Sequence, residues 1–191
     1  NNICIVGPLP PPVYGMSAVN AFMAEKMSSN GQVVKTINTS LPSLKRRWWD
    51  RLPRFKVFIK SWMALRRELE CKRTSLVYMS LSGGYGLLGE ALLAITVKHA
   101  GVDLVVHHHG YSYVDRVFIP LRLFLISCPS DTGHIVLCSK MGNQLHNLYP
   151  RISKICVLRN AAFLVDPLKV ILPVSLKRIG YLSNLSTDKG I

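Results

Sequence analysis

The stretch NNICIVGPLPPPVYGMSAVNAFMAEKMSSNGQVVKTI, residues 1–37, decides the fold. Ile3 to Val6 is a short unbroken apolar run, the pattern of a parallel strand buried on both faces. Gly15 or Ser17 opens a helix that runs to about Ser29, with Val19, Phe22, Met23 and Met27 at helical spacing. Asn30-Gly31 ends it, Gly31 suiting a left-handed cap. Gln32 to Ile37 reads as the next strand. Strand, loop, helix, strand in 37 residues is a βαβ unit.

The alternation continues down the chain. Arg54 to Cys71 is a basic helix and Leu76 to Met79 a strand. SLSGGYG (Ser80 to Gly86) is a turn, and Leu87 to His99 an apolar helix closed by Gly101. Asp103 to His108 is a strand, Val117 to Ser127 a helix, His134 to Cys138 a strand. Ser139 caps a helix over Lys140 to Leu148, and Ile155 to Leu158 is a strand. Six such alternations specify an α/β fold: a doubly wound, mostly parallel, Rossmann-like sheet over residues 1–165. A Pro- and Val-rich linker over residues 166–175 follows. Lys177 to Leu182 then reads as the first strand of another domain, over residues 176–191.

Bulk properties bound the function. With 49% hydrophobic and 18% charged residues the chain reads as folded and globular. No apolar run reaches the roughly 18–20 residues of a membrane span. The five cysteines lack CxxC spacing; four lie in apolar runs and read as buried thiols of a reduced compartment. The net charge of +14 is concentrated: Lys45 to Arg73 holds eleven basic residues against Asp50, Glu68 and Glu70. An anionic partner is implied, whether a phosphate-bearing ligand, an acidic membrane surface or nucleic acid.

Three loops at the strand ends carry the candidate chemistry. The first, GPLPPPVYG, has neither the G-x-G-x-x-G dinucleotide fingerprint nor a Walker A lysine, which disfavours a nicotinamide oxidoreductase. Prolines stiffen it, and Gly15 permits close backbone approach ahead of a helix N-terminus. It is either a rigid lip presenting amides to a ligand or a structural turn. The second places Ser82, Gly83 and Gly84 on the same sheet edge. The third, HHHG, puts His107 and His109 on one strand face and His108 on the other, with Gly110 at the turn. One histidine is expected to face the crevice and hydrogen-bond a polar substrate, with a plain packed histidine as the alternative. An i, i+2 histidine pair without a carboxylate or cysteine cluster does not specify a metal, so none is expected.

The segment Lys45 to Glu70 interleaves Trp48, Trp49, Phe55, Phe58 and Trp62 with basic residues, among them Lys45, Arg46, Arg47, Arg54, Lys56 and Lys60. Phe55, Phe58, Ile59, Trp62 and Met63 recur at spacings of three and four. Such a helix suits an anionic membrane surface, nucleic acid, or plain packing on the sheet.

The order of GPLPPPVYGMS, a strand ending HHHG, HIVLCSKMGNQL, VLRNA and then IGYLSNLSTDKG resembles the N-terminal domain of family 4 retaining glycosyltransferases of the GT-B fold. The resemblance covers nearly the whole chain, on the order and spacing of its motifs. It implies two facing Rossmann-like domains, an acceptor-side half here and a nucleotide-sugar half whose E-x7-E motif falls beyond Ile191. It places Gly15 and Met16 beside donor phosphate and acceptor, with Ser82, Gly83, Gly84, Gly110 and Asn160 on the substrate side. It gives His109 the catalytic contact to the donor sugar, and Lys189 and Gly190 the donor diphosphate. Tyr181 stands where the family has an arginine. The resemblance implies front-face sugar transfer in bacterial surface polysaccharide synthesis, with no metal or other cofactor. The partners implied are a nucleotide sugar and a lipid-linked or saccharide acceptor. The implied location is cytoplasmic, peripheral on the inner face of the membrane, and the chain alone is expected to be inactive. A non-catalytic basic module binding an anionic membrane or nucleic acid is the alternative.

Overall fold

The structure is a computed structural model. It describes residues 2–41 and 51–163, without the side chains of residues 51–53. The linker and last strand expected beyond residue 165, Lys189 and Gly190, and the Lys45 to Trp49 cluster lie outside the described residues.

Six strands form one sheet: β1 (Asn2–Gly7), β2 (Val33–Asn38), β3 (Thr74–Leu81), β4 (Asp103–His108), β5 (Gly133–Val136) and β6 (Lys154–Val157). The spatial order is β2-β1-β3-β4-β5-β6, and every pairing is parallel. Five helices fill the crossovers: α1 (Gly15–Ser29), α2 (Arg51–Glu70), α3 (Gly86–Ala100), α4 (Ile119–Ser127) and α5 (Ser139–Leu148). A 3-10 turn over Asn160–Phe163 follows. This is the doubly wound Rossmann-like architecture that the strand–helix alternation specifies.

The two faces are covered differently. Ile3, Ile5 and Tyr78 pack with Met23, Ala24 and Met27 of α1. Cys4, Val6, Val77, Met79, Leu104, Val106 and Val136 face the larger core, built with α2 to α5. Chain reversal explains the difference. From β1 the chain crosses through α1 to β2 on one side, and then through α2 to β3 on the other. Right-handed crossovers in opposite directions place their helices on opposite faces. The reversal point lies between β1 and β3, where doubly wound sheets hold their ligands.

Two sequence expectations need correction. The α2 stripe is not one face. Phe58 and Trp62 pack on the core and Leu65 and Leu69 are buried in it, while Phe55 and Met63 are 62% and 45% exposed. With 3.6 residues per turn, 55, 59 and 63 drift off the 58, 62, 65, 69 line. The thiols differ as well: Cys4 and Cys128 are buried, Cys138 is half-buried, and Cys71 and Cys156 are exposed. Cys156 lies on the edge strand, where a run that looks apolar still has one open side.

The first loop is held by side chains that replace what its prolines lack. The Leu9 N–H donates to Asn38 Oδ1 at 3.0 Å and to Ser40 Oγ at 2.9 Å, and Ser40 Oγ donates to the Leu9 carbonyl at 2.6 Å. At the helix start the Tyr14 N–H donates to Ser17 Oγ at 2.9 Å, which satisfies a capping donor. Gly7 is required sterically. A Cβ there would collide with Ser80 Oγ and stand 2.6 Å from Asn20 Nδ2. Those two groups are themselves hydrogen-bonded at 2.9 Å and buried, so they cannot move aside without losing that bond. Gly15 meets nothing within 4 Å. Gly7→Ala is expected to cost about 1–3 kcal/mol of stability through overpacking. Gly15→Ala is expected to change it by about 0.5 kcal/mol or less, since alanine favours helix and the space is open. Urea unfolding of the two variants checks the contrast.

Candidate functional site

A cavity of about 750 Å³ opens at the reversal point. Its floor is the C-terminal end of β1 (Val6, Gly7) and of β3 (Met79, Ser80). Tyr14 and Met16 at the start of α1 form one wall, and Ser82, Gly83 and Gly84 with the first turns of α3 form another. Gly110 and Ser112 come from the loop after β4. From α2 come Arg54, Phe58 and Ser61. The size suits a small-molecule ligand.

The structure therefore brings together Met16, Ser82, Gly83, Gly84 and Gly110 of the sequence candidates. Gly15 is between the wall residues Tyr14 and Met16. Gly83 and Gly84 have φ of 86° and 63°, left-handed values that side-chain-bearing residues rarely adopt. Part of the expected second turn is strand: β3 continues through Ser80 and Leu81. Arg54, grouped in the sequence with the membrane-facing cations, lines the cavity. Asn160 lies apart in the exposed 3-10 turn.

Three contributors escape sequence inspection. Asn20, in the middle of α1, is fully buried; its Nδ2 donates to the Pro8 carbonyl at 2.8 Å and to Ser80 Oγ. Tyr149 ties down the loop after β4. Its hydroxyl accepts from the Phe118 N–H at 2.8 Å and approaches the Tyr113 carbonyl at 3.3 Å. Glu90 lines the cavity one turn into α3. Its Oε1 accepts from the Ser82 N–H at 2.9 Å, and its Oε2 is buried without a partner. Only its place four residues after Gly86 hints at this.

The histidines divide between the two faces as period two requires. His107 Nδ1 meets the Tyr78 hydroxyl at 2.6 Å, and the His109 ring lies 4.0 Å from that of His107. His108 Nε2 meets His134 Nδ1 at 3.0 Å, while its Nδ1 meets the Tyr113 hydroxyl at 3.3 Å. His109 is not among the residues lining the cavity; it sits with His107 on the sheet face that α1 packs against. The Nε2 atoms of His107 and His109 are buried without partners.

Desolvation sets the ionisation here. It pulls His107 down to about 3 and His109 and His134 to about 4, and it holds His108 well below the usual imidazole range. It pushes Glu90 up to about 7, against the bond from Ser82. Burial penalises the charged form in both cases, so the shifts have opposite sign.

The sequence matches no protein-family model. It matches no curated protein either. Among solved structures the chain is similar to MurG from Acinetobacter baumannii, at 9% sequence identity and a TM-score of 0.47. The likeness covers 82% of this chain and 45% of that one, so the chain spans less than half of that protein's length.

The opposite shifts give opposite pH effects. Unfolded histidines take up protons below about 6.5, whereas these folded ones do so only near 3 to 4. The unfolded state binds more protons in that window, so stability falls as pH drops from 6.5 towards 4. Folded Glu90 holds its proton up to about 7 and unfolded Glu90 only to about 4.5, so its contribution falls as pH rises between those values. Urea titrations should show wild-type stability dropping between pH 6.5 and pH 4.5. Glu90→Gln should gain about 1–3 kcal/mol at pH 8 and nothing at pH 4.

Proposed function

We propose that the chain is the acceptor-side half of a GT-B glycosyltransferase. It would act with a donor-side half to move a sugar from a nucleotide diphosphate to a lipid-linked or saccharide acceptor. The observation that carries the reading is the cavity at the β1/β3 reversal point. It is walled by the three loops that the resemblance assigns to substrate, and it has no dinucleotide fingerprint. Sugar transfer from a nucleotide diphosphate leaves negative charge on the departing diphosphate. The first amides of a helix have no intrahelical acceptor and carry partial positive charge. The N-termini of α1 and α3 turn their partial positive charge to one cavity, which Arg54 also lines. Preorganised donors of this kind stabilise a leaving anion.

His109 is assigned the donor-sugar contact by the resemblance; its Nε2 has no partner, and it lies outside the lining of the cavity. Asn160 is exposed at the end of the described sheet, where a second half could meet it. Lys189 and Gly190 are assigned to the diphosphate. No metal is assigned.

Peripheral attachment to an anionic membrane belongs to the same proposal. Among the described residues, no helix is long and apolar enough to cross a membrane. On the outer side of α2, Phe55, Ile59 and Met63 share a groove with Lys56, Lys60 and Arg67. Next to α2 lies α3, and beyond it α4. Their outer sides expose Leu88, Leu92, Ile119, Leu123 and Ile126 by 44–69%. Apolar side chains flanked by cations match an interface of acyl chains below anionic headgroups.

Transfer is tested by incubating the 191-residue chain, and a longer polypeptide that carries it, with labelled nucleotide sugars and polyprenyl-diphosphate saccharides in vesicles. Label should enter the lipid fraction with the longer form, at least tenfold less after Arg54→Ala, and not with the shorter. Failure of the longer form with every donor would sink the reading. In flotation assays the chain should bind anionic but not neutral vesicles. Replacing Lys56, Lys60 and Arg67 by alanine should weaken this on the order of a hundredfold, from about 1 kcal/mol per basic residue. Salt-sensitive DNA binding without vesicle binding would favour a nucleic-acid module instead.

A further inference from the structure

Glu90 has half of its hydrogen-bonding capacity in use. Oε1 is committed to the Ser82 amide, whereas Oε2 is buried with no partner and the residue lines the cavity. A buried polar oxygen without a partner is costly and asks for an explanation. Among the described residues Glu90 has no ion-pair partner. The charged and titratable groups around it are Arg54 of α2, Tyr14 at the start of α1, Tyr85 ahead of α3, and Tyr113. Tyr113 is wholly buried in the loop after β4, and its phenol is raised chiefly by that burial and secondarily by the Glu90 charge.

We infer that Glu90 is the specificity-determining carboxylate of this cavity, its free oxygen accepting a hydrogen bond from a hydroxyl of a neutral sugar. An uncharged polyol is the ligand class that fits. It supplies donors without the charge that a second anion would set against Glu90. On this inference the oxygen is reached past the segment Ser82 to Gly86, which lines the same cavity. Gly83 and Gly84 at its centre carry no side chains to repack, so a small displacement opens Oε2 to the cavity. The inference rests on the acceptor-side reading only in its choice of a sugar.

The pH dependence follows. A hydroxyl donor bonds the ionised carboxylate better than the carboxylic acid, so binding draws the proton off Glu90. Burial raises Glu90 to about 7; affinity is therefore full above neutrality and falls as pH drops below 7. Between pH 8 and pH 6 the loss is about tenfold.

The test is an amide-shift titration of the 15N-labelled 191-residue chain with methyl hexopyranosides, following Gly83, Gly84 and Gly110, at pH 8 and pH 6. Wild type should bind with Kd about tenfold higher at pH 6. Glu90→Gln keeps the shape and the acceptor for Ser82. It should bind at pH 8 no better than wild type does at pH 6, with no dependence on pH. The inference is overturned by pH-independent binding in wild type, or by the same pH dependence in the variant. It is equally overturned if no hexoside binds. Its failure is separable from that of the transferase reading. Glu90-dependent sugar binding in a chain whose longer form transfers nothing sinks only the transferase. Transfer with Glu90-independent binding sinks only this inference.

Discussion

The buried amide of Asn20 is the contact on which the candidate site depends. It sits where Gly7 lacks a Cβ and reaches both the Pro8 carbonyl and Ser80 Oγ. In doing so it joins α1 to the ends of β1 and β3. These are the two strands between which the chain reverses, and α1 and α3 leave that point on opposite faces. Without a fastening there, the two helix N-termini would have no fixed separation. The proline loop is then a consequence. Its carbonyl is held from one side by Asn20 and its one central amide, from Leu9, by Asn38 and Ser40 from the other. Stiffness from prolines fixes the loop only because its two ends are anchored.

The same end of the sheet is also its most polar. Four histidines and two tyrosines are packed where a sheet of this kind elsewhere carries aliphatic residues. Three of the histidines are tolerated as neutral, hydrogen-bonded groups: His107 with Tyr78 and His108 with His134 on adjacent strands, and His108 also with Tyr113 of the loop after β4, while the His109 ring packs beside His107. Burial disfavours the imidazolium and the carboxylate alike. It therefore fixes the histidines as neutral near pH 7 while leaving Glu90 close to its midpoint. Of the titratable groups around the cavity whose shifts are resolved, Glu90 alone changes charge near neutrality. Acidification below pH 6.5 costs stability through the histidines, and the opposite contribution of the single Glu90 between pH 4.5 and 7 offsets only part of it, so stability is greatest at and above neutrality.

The sheet was legible because its evidence is local. Unbroken runs such as Ile3 to Val6 and Asp103 to His108 need burial on both faces, and the glycines after the helices mark where each must stop. Gly101, with φ of 66°, is such a stop. Boundaries were off by one to three residues where hydrogen bonding outruns hydrophobicity, as at β3, whose Thr74, Ser80 and Leu81 extend the ladder. Glycine loops of the site were legible because unusual backbone angles demand that residue. Asn20, Arg54 and Glu90 were not, since their roles come from what the fold sets beside them: Ser80, sixty residues on, for Asn20, the cavity for Arg54, and the Ser82 amide across the glycine turn for Glu90. Arg54 in particular belongs by composition to a basic run, and only the packing of α2 beside the reversal point places it at the cavity.

That placement makes α2 the element joining the two halves of the proposed function. One side of it gives Phe58, Ser61 and Arg54 to the cavity; the other sets Phe55, Ile59 and Met63 among cations. Phe58 also presses close to Gly89, where a Cβ would stand 3.2 Å from its ring, so α2 and the Glu90 turn of α3 cannot shift independently. A lipid-linked acceptor lying against the outer groove would have its headgroup carried towards the cavity mouth by the width of one helix. Membrane seating and acceptor recognition are then a single geometric requirement. On the proposed function, a helix whose apolar residues fall on two lines rather than one would meet it.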